Sequence, residues 1–206
     1  MFEGYSRYYN LIHADKPYKE EAEFVYNWAD KPKTILEIGC GTGNYTRYLA
    51  EKAKVVGVDP SKDMLNEAWR HPNIRYYTSI PDVTEEFDCV LALFNVIGYV
   101  GFFELDKMMN YLPLKSGYPF IFDVWDAKQG GEQITIKDFA GGYRLAVPHR
   151  LDDRLLRIDL MVILTTKLKN KLVSRNHLLL IGLLSILVEQ SKKKNCGLAM
   201  YLQKMC

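Results

Sequence analysis

The 206-residue sequence predicts an α/β protein with a doubly wound, mostly parallel β-sheet, helices on both faces and an added antiparallel hairpin. Two observations predict this class. From Thr34 to about Trp125, short apolar runs alternate with segments of helical periodicity, which is the pattern of right-handed βαβ units. Beyond this region, residues 143–165 alternate at the period of a strand around a turn at Asp152-Asp153, as expected for a hairpin.

The individual elements follow from these periodicities. Five apolar runs of the kind that is buried in parallel sheets predict strands at Thr34–Ile38, Val55–Val58, Ile74–Thr78, Phe87–Phe94 and Pro119–Trp125. Three stripes at helical spacing predict the intervening helices: Tyr45, Tyr48, Leu49 and Ala53; Met64, Leu65, Ala68 and Trp69; and Phe102, Leu105, Met108, Met109 and Leu112. A further stripe of Ala22, Val25, Tyr26 and Ala29 predicts a helical region before the sheet.

Charge is unevenly distributed along the chain. Residues 1–165 carry 19 Lys+Arg and 24 Asp+Glu, whereas residues 166–206 carry 8 basic residues and a single acid, Glu189. The acidic body argues against nucleic acid as a partner, because phosphate contacts require a basic face. The basic tail, with its run Lys192–Lys194, either contacts an anionic surface or is a solvated end.

Composition also limits the compartment and the partners. The longest apolar stretch, Leu178 to Val188, has eleven residues, and a membrane-spanning helix needs roughly 20. The four cysteines show neither CxxC pairs nor metal-ligand spacing, and the N-terminus has no signal-peptide pattern. We expect a cytoplasmic, reduced protein with no metal and no membrane partner. A homodimer is allowed, and the sequence does not fix the oligomeric state.

The segment ILEIGCGTGNYTRYL (35–49) is the most informative part of the chain. An apolar strand runs into Gly39, Gly41 and Gly43, and a helix follows directly. Glycines permit the tight turn and let the backbone approach a ligand, and the helix N-terminus offers unpaired N–H groups. A strand, a glycine loop and a helix in this order predict a site for a nucleotide-like cofactor.

Details of the loop narrow the cofactor. A dinucleotide fingerprint would place its third glycine at Asn44, and the P-loop ending Gly-Lys-Ser/Thr is absent. Glu37 precedes the glycines within the strand, where a pyrophosphate would be repelled. The second strand ends in Asp59, whose carboxylate can accept hydrogen bonds from both ribose hydroxyls or can cap the helix after Pro60-Ser61.

The pattern E-x-G-x-G-x-G resembles the first motif of class I S-adenosylmethionine-dependent methyltransferases. Asp59-Pro60-Ser61-Lys62-Asp63-Met64-Leu65 is similar to the family's D-x-S-x-x-M-L segment. More narrowly, three short segments are similar to amino-sugar N,N-dimethyltransferases: Tyr5…Tyr9-Asn10, Phe94-Asn95-Val96-Ile97-Gly98-Tyr99 and Asp123-Val124-Trp125. The resemblance implies a Rossmann-like fold, S-adenosyl-L-methionine as cofactor and methyl transfer as the reaction.

The resemblance and the loop together give a set of candidate residues. The cofactor-binding candidates are Tyr5, Tyr9, Glu37, Gly39, Gly41, Gly43, Asn44, Asp59, Pro60, Met64, Ser79, Ile80, Leu93 and Phe94. The catalytic candidates are Tyr9, Asn95, Trp125 and His149. Tyr99 and Asp123 are further pocket candidates; Asp123 either orients an amine or caps a strand, and His149 is either a base or a structural residue.

The predicted domain covers residues 1–165, with a helical cap at 1–32, a cofactor-binding core at 33–125 and a substrate-side insertion at 126–165. The atypical basic segment 166–206 is expected to belong to the same domain, and its departure from the family's acidic ending fits either an altered or a divergent C-terminus. The favoured function is methylation of an amine or hydroxyl of a small molecule such as a sugar or metabolite. The alternatives are an RNA or protein methyltransferase and an inactive S-adenosylmethionine-binding protein.

Overall fold

The computed structural model describes residues 5–99, 108, 111–123, 133–140, 142–150, 155–166, 177–189 and 201–204. The strands are β1 Thr34–Ile38, β2 Lys54–Val58, β3 Ile74–Tyr77, β4 Cys89–Ala92, β5 Pro119–Phe122, β6 Thr135–Phe139, β7 Gly142–Arg150, β8 Leu155–Thr166, β9 His177–Glu189 and β10 Tyr201–Lys204. The α-helices are α1 Ser6–Ile12, α2 Tyr18–Trp28, α3 Thr46–Leu49 and α4 Lys62–Asn66, and 3-10 helices span Ile80–Asp82 and Val96–Tyr99.

The main sheet has the strand order β10-β5-β4-β1-β2-β3. The pairs β1–β2, β2–β3, β1–β4 and β4–β5 are parallel, and β10 is antiparallel to β5. The chain moves outward from β1 to β3 and then returns to place β4 on the other side of β1, so the strand order reverses at β1. Such a switch point is where open α/β sheets bind ligands, beyond the carboxyl ends of the strands. The predicted fold class is confirmed.

Both faces of the main sheet are buried, because alternate residues of each strand enter different cores. Ile35, Val55 and Leu91 join the cluster formed with α2 and α3. Leu36 and Val56 join the cluster on the opposite face. This two-sided burial explains why the strands read as continuous apolar runs rather than as alternating ones.

Two helices are shorter than their stripes predict. In the stripe over α3, Leu49 and Ala53 are buried, yet the helix ends at Leu49 and the chain continues in turns. After α4, the backbone N–H of Trp69 donates to the carbonyl of Thr42 at 3.1 Å, which draws the chain back toward the glycine loop and leaves the indole 45% exposed. The predicted third helix lies mostly outside the described residues, with Met108 alone described as helical.

The second sheet is antiparallel, with the order β6-β7-β8-β9. Its centre is the predicted hairpin of β7 and β8, although the turn at residues 152–153 lies outside the described residues. The sheet extends beyond that hairpin, because β6 pairs with β7 and β9 pairs with β8. Segment 166–206 thus contributes β9 to this sheet and β10 to the main one, while the predicted boundaries of the domain stay a prediction. Within the described ranges, no helix has the length and apolar character needed to cross a bilayer.

Asp88 ties the amino edge of the main sheet together. Its Oδ2 accepts the backbone N–H groups of Lys33 and Thr34 at 3.0 and 3.1 Å, and its Oδ1 accepts Lys115 Nζ at 2.6 Å. Burial raises the pKa of the Asp88 carboxyl, but these hydrogen bonds outweigh burial and lower the pKa overall. The residue therefore joins the start of β1 to the turn before β5, at the edge opposite the glycine loop.

We predict that Asp88→Ala lowers the free energy of unfolding by about 1–3 kcal/mol at neutral pH, because two backbone N–H groups lose their acceptor. A carboxyl whose pKa is depressed on folding stabilises the protein above its unfolded pKa, so the difference from wild type should shrink as the pH falls below about 4. Urea unfolding at several pH values measures this. A constant difference down to pH of about 2 would contradict the ionic role.

Candidate active site at the carboxyl edge of the sheet

The three glycines of the loop after β1 all have positive φ angles: 66° at Gly39, 55° at Gly41 and 76° at Gly43. A Cβ atom at Gly39 would lie 2.5 Å from Val96 Cγ2, and one at Gly43 would collide with the Tyr76 hydroxyl. Among the described residues, a Cβ at Gly41 would have no neighbour closer than Tyr9 Cε1, at 4.0 Å. Packing therefore explains two of the glycines, and Gly41 is the one that faces open space.

Asp59, at the end of β2, holds the glycine loop from the side. Its Oδ2 accepts the Gly41 N–H at 2.9 Å, and its Oδ1 accepts the Ser61 N–H at 2.8 Å. Ser61 in turn caps α4 by accepting the Met64 N–H at 3.3 Å. Burial raises the pKa of Asp59, and the two N–H bonds oppose that effect. Asp59 thus supports the loop and the residue that caps α4, but the cap itself is Ser61 and not Asp59, as the helix-cap interpretation would require.

Glu37 lies in the sheet beneath the loop, only 2% exposed. Its Oε2 accepts the Thr46 hydroxyl at 2.5 Å. Burial raises the pKa of the Glu37 carboxyl to about 8, with the Thr46 hydrogen bond lowering it and the charge of Asp59 raising it. At neutral pH the carboxyl is mostly protonated, so it is a buried acid that a nearby positive charge would ionise.

Asn10 of α1 fastens the N-terminal helix to the glycine loop. Its side-chain carbonyl accepts the Thr42 hydroxyl at 2.6 Å and the Asn44 amide at 2.9 Å. The Asn44 amide also donates to the Thr42 hydroxyl at 3.3 Å. The interpretation of the sequence places Asn44 against the cofactor, whereas in the structure its amide is buried and faces Asn10. In the sequence, Asn10 is indicated only as part of the segment Tyr5…Tyr9-Asn10, which is similar to amino-sugar N,N-dimethyltransferases.

An aromatic cluster lies above the loop. The ring centroids of Tyr5 and Tyr9 are 5.9 Å apart, those of Tyr9 and His13 are 4.7 Å apart, and those of His13 and Phe94 are 5.2 Å apart. Burial raises the pKa of both tyrosine hydroxyls. The cluster brings the predicted residues Tyr5, Tyr9 and Phe94 together, as expected for a lid over the cofactor loop.

His13 joins this cluster, although nothing in the sequence singles it out. It is 8% exposed, and its Nε2 is 3.5 Å from the Tyr5 hydroxyl. Burial lowers the pKa of His13 to about 3, with the charges of Arg144 and Lys137 acting in the same direction. His13 is therefore neutral at physiological pH. Its helical spacing from Tyr9 was the available signal, since residues four apart share a helix face.

The turn after β4 contains two consecutive non-glycine residues with left-handed backbones, Phe94 (φ 67°) and Asn95 (φ 60°). Such conformations are uncommon, and for a bulky residue like Phe94 they are strained. Asp123 stabilises them, because its Oδ2 accepts the Phe94 N–H at 3.0 Å and its Oδ1 accepts the Asn95 N–H at 2.6 Å. Both carboxylate oxygens are thus engaged with backbone, which favours the interpretation of Asp123 as a cap at the sheet edge.

The side chain of Asn95 is 1% exposed and packs on Gly98, where a Cβ would come within 2.5 Å of its amide nitrogen. Asn95 therefore lies at the carboxyl edge of β4 as predicted, inside the turn rather than on its surface. Leu93 is also buried and belongs to the core against α2 and α3. Tyr99 is 38% exposed, and burial of its hydroxyl raises its pKa to about 12.

The residues predicted for the adenosine end lie after β2 and β3. Met64 is 2% exposed, Pro60 is exposed, and Ser79 and Ile80 are half-buried at the start of a 3-10 helix. Ile80 packs against the core cluster on that face. Their assignment to the adenosine stays a prediction.

The other two catalytic candidates are not seen at the cluster among the described residues. Trp125 lies outside the described residues. His149 and Arg144 are five positions apart on β7, so strand alternation places them on opposite faces. Arg144 is the residue whose charge and hydrogen bonding act on the Tyr5 hydroxyl. The role of His149 as a base stays a prediction.

Comparison with known proteins agrees with this geometry. Residues 35–112, which begin in β1 and contain the glycine loop and Asp59, match the model of the family described as Methyltransferase domain. Over this stretch, which is less than half of the chain, the sequence is thus similar to a methyltransferase domain. The resemblance drawn from the E-x-G-x-G-x-G pattern is thereby confirmed.

Curated relatives match parts of the chain. A trans-aconitate 2-methyltransferase of Rhodopseudomonas palustris (strain BisA53) is 50% identical over 44 residues, which are 20% of this chain and 17% of the relative. A dTDP-3-amino-3,6-dideoxy-alpha-D-glucopyranose N,N-dimethyltransferase of Streptomyces fradiae is 32% identical over 114 residues, 50% of this chain and 45% of the relative. The chain spans less than half the length of the curated relatives that it matches.

Solved methyltransferases share the fold. The sugar N-methyltransferase KedS8 from Streptoalloteichus sp. ATCC 53650 superposes with a TM-score of 0.71 at 20% identity, covering 90% of this chain and 78% of that one. The amino pentose methyltransferase CalS10 from Micromonospora echinaspora gives 0.68 at 18% identity, covering 86% and 79%. At such identities the likeness establishes the fold.

We predict that Asp123→Asn lowers the free energy of unfolding by about 1–3 kcal/mol, because one of the two backbone N–H groups faces an amide that cannot accept it. Glycine adopts a positive φ without strain. In a Phe94→Gly background the same substitution should therefore cost less. A double-mutant cycle by urea unfolding measures the difference. Equal losses in both backgrounds would show that Asp123 does not support the left-handed turn.

Proposed function

We propose that the protein is an S-adenosylmethionine-dependent methyltransferase that transfers a methyl group to an amine of a small, sugar-like molecule. The observation that carries the proposal is the cradle at Gly41. It is the only glycine of the loop that faces open space, and it lies between the Asp59 carboxylate and the Tyr9 ring. A site of this shape at the switch point of the sheet fits a nucleoside cofactor.

The residues around the cradle fit the chemistry of S-adenosylmethionine. Asp59 would receive the ribose hydroxyls, since each carboxylate oxygen carries a lone pair beyond the one that binds a backbone N–H. Glu37 would face the cationic methionyl end from below, where a positive charge favours its ionised form. Tyr9 would cover the cofactor from α1, and Met64 and Ile80 would pack at the adenine end.

When bound, S-adenosylmethionine supplies a methyl group that its sulfonium has already activated. The remaining task of the protein is to hold the acceptor in line with that group and to exclude water. Positioning of this kind contributes up to about 7–11 kcal/mol in favourable systems. The aromatic cluster of Tyr5, Tyr9, His13 and Phe94 forms a largely apolar wall suited to both tasks.

The protonation states favour an amine over a hydroxyl. A neutral amine attacks through its own lone pair, whereas a sugar hydroxyl requires a base with a pKa near the working pH. His13 has a pKa of about 3 and is a weak base. Asp123, a carboxylate at the β4 edge, has both oxygens engaged with backbone N–H groups. The N,N-dimethyltransferase among the relatives supports the same choice.

A carboxylate is a second candidate acceptor, because its oxygen also attacks without a base. The observation in its favour is the 50% identity, over 44 residues, with a trans-aconitate 2-methyltransferase. A methyl-transfer assay with labelled S-adenosylmethionine separates the candidates when the acceptor panel contains amino sugars, neutral sugars and polycarboxylates. Turnover of amino sugars alone supports the proposal, and turnover of neutral sugars or polycarboxylates alone would overturn it.

We predict that Gly41→Arg abolishes binding of S-adenosylmethionine and S-adenosylhomocysteine, because the new side chain fills the cradle. Isothermal titration calorimetry should detect no heat for the variant. Ser116→Arg is the matched control, since it adds the same charge at an exposed position in the turn before β5, and it should bind like wild type. Retained affinity in Gly41→Arg would mean that the cofactor lies elsewhere.

We predict that affinity for S-adenosylmethionine rises as the pH increases from about 6 to 8 and then levels off. The reason is that free Glu37, with a pKa of about 8, must lose its proton to face a cationic ligand. Titrations in buffers of different ionisation enthalpy should detect proton release at pH 7. In Glu37→Gln that release should be absent, leaving only what the ligand itself contributes. Equal proton release in both proteins would exclude this role of Glu37.

A further inference from the structure

The buried carboxyl of Glu37 has a proton to lose when a cation binds above it. The side chain is 2% exposed, and burial raises the pKa of the carboxyl to about 8. Asp59 at the end of β2, Cys40 in the glycine loop and Tyr76 on β3 interact with it electrostatically, and all three are acids. A cationic ligand in the cradle would cover the carboxyl from above, so its proton needs an exit on another side.

A row of three residues across the sheet leads away from the cradle. Glu37 of β1 is the direct partner of Gly57 of β2, and Gly57 is the direct partner of Tyr76 of β3. Residues aligned in this way across parallel strands project from the same face of the sheet. Because the middle residue has no side chain, the Tyr76 ring lies over it, where a Cβ would be 2.7 Å from Tyr76 Cε1. Gly57 therefore lets the tyrosine reach toward the acid two strands away.

The Thr46 hydroxyl lies between the acid and the tyrosine. It donates to Glu37 Oε2 at 2.5 Å, and it is also a hydrogen-bond partner of the Tyr76 hydroxyl. Both hydroxyls lie against Gly43, where an added Cβ would contact each of them. Thr46 is fully buried at the start of α3. A hydroxyl accepts one hydrogen bond while it donates another and its proton can rotate, so Thr46 is suited to pass a proton on.

The Tyr76 hydroxyl connects this chain of groups to the surface. It donates to the backbone carbonyl of Trp69 at 2.9 Å, and this hydrogen bond lies in an exposed part of the molecule. Burial raises the pKa of the Tyr76 hydroxyl, and the charge of Arg70 opposes that effect. Tyr76 is therefore neutral at physiological pH and keeps both a proton to donate and lone pairs to accept one.

We propose that the hydroxyls of Thr46 and Tyr76 form a proton path from Glu37 to solvent, used when the cationic methyl donor binds. The Glu37 O–H gives its proton to Thr46 Oγ1, Thr46 gives its own to Tyr76 Oη, and Tyr76 gives its own to water at the surface. One proton leaves, the carboxylate stays, and both hydroxyls are neutral again. The inference rests on the proposed function and adds the route by which its buried acid ionises.

The path can be tested on the free protein by a pH jump. Stopped-flow mixing takes the protein across the pKa of Glu37, and infrared absorption follows the loss of the protonated carboxyl band, which Glu37→Gln assigns by its absence. Tyr76→Phe and Thr46→Val each remove one hydroxyl and keep the shape of the side chain, and Thr46→Ser keeps the hydroxyl. Tyr77→Phe is the matched control, since Tyr77 packs on the opposite face of β3.

We expect Tyr76→Phe to slow proton loss from Glu37 about tenfold or more, because one step of the path is missing and its barrier rises. The midpoint of the equilibrium titration should stay at its wild-type value, whereas a purely structural role would move the midpoint and leave the rate. Thr46→Val should also be slow, with Thr46→Ser and Tyr77→Phe close to wild type. Circular dichroism and thermal melts establish that the variants are folded.

A second measurement adds S-adenosylmethionine in weakly buffered solution with a pH indicator. In wild type, the proton that Glu37→Gln fails to release should appear together with binding. In Tyr76→Phe the same proton should appear later than binding, with unchanged affinity for the ligand.

Three results of the pH jump would overturn the proposal. They are equal rates in wild type and both hydroxyl-deleted variants, a wild-type rate in Tyr76→Phe alone, and a wild-type spectrum without a Glu37 band. If the rates differ as expected but S-adenosylmethionine does not bind, the proposed function fails while the proton path stands.

Discussion

The Asp59 carboxylate is the constraint on which the candidate site depends. One oxygen binds the Gly41 N–H and the other binds the Ser61 N–H, so a single side chain joins the loop after β1 to the turn after β2. Through Ser61 it also fixes the start of α4. Through the loop it fixes Thr42 and Asn44, on which α1 is fastened. The two hydrogen bonds of Asp59 therefore connect the cradle both to α4 and, through the loop, to α1.

The β4–β5 side of the sheet uses the same device. Asp123 binds two consecutive backbone N–H groups and thereby stabilises a left-handed pair that Phe94 would not adopt unaided. Asp59 and Asp123 each accept two backbone N–H groups, but the remaining lone pairs of their carboxylates have different surroundings. Asp59 borders the open side of Gly41, where a ligand can reach its remaining lone pairs, whereas Asp123 supports a turn whose Asn95 side chain is itself buried. Ser61 is the N-cap of α4 and Asp59 positions it, so the remaining lone pairs of Asp59 are available for the proposed contact with the ribose.

Most of the fold could be predicted from the sequence, because burial on both faces of the main sheet leaves continuous apolar runs such as Thr34–Ile38. The glycine loop could also be predicted, since its composition is local. What could not be predicted was pairing across the chain. Nothing near Asn10 indicates Thr42, 32 positions away, as its partner. The left-handed backbone of Phe94 has no local signal either, because its cause, Asp123, lies 29 residues later.

Pairing across the chain also explains why the sequence indicates His149, whereas the structure brings His13 to the aromatic cluster. His149 is a candidate because it is the histidine of the predicted hairpin. The strand period also determines which face each residue occupies. Arg144, whose charge acts on Tyr5, therefore lies on the opposite face of β7 from His149. His13 reaches the site because it is the C-cap of α1, four residues after Tyr9 and therefore on the same helix face. Burial that excludes water from this histidine also removes its basicity. The position of an ionisable group thus has to be known before its chemistry can be assigned.

In the proposed reaction, the distribution of charge favours binding of the cationic methyl donor over binding of the product. Glu37 and Asp59 lie beneath and beside the cradle. In the proposed reaction the methyl group carries one positive charge from the acid-lined side to the acceptor. The acids then attract S-adenosylhomocysteine less strongly than the methyl donor, and Glu37, whose pKa is about 8 without a nearby cation, regains its proton more readily. Product release from the cradle is favoured by the same buried carboxyl that favours binding of the donor.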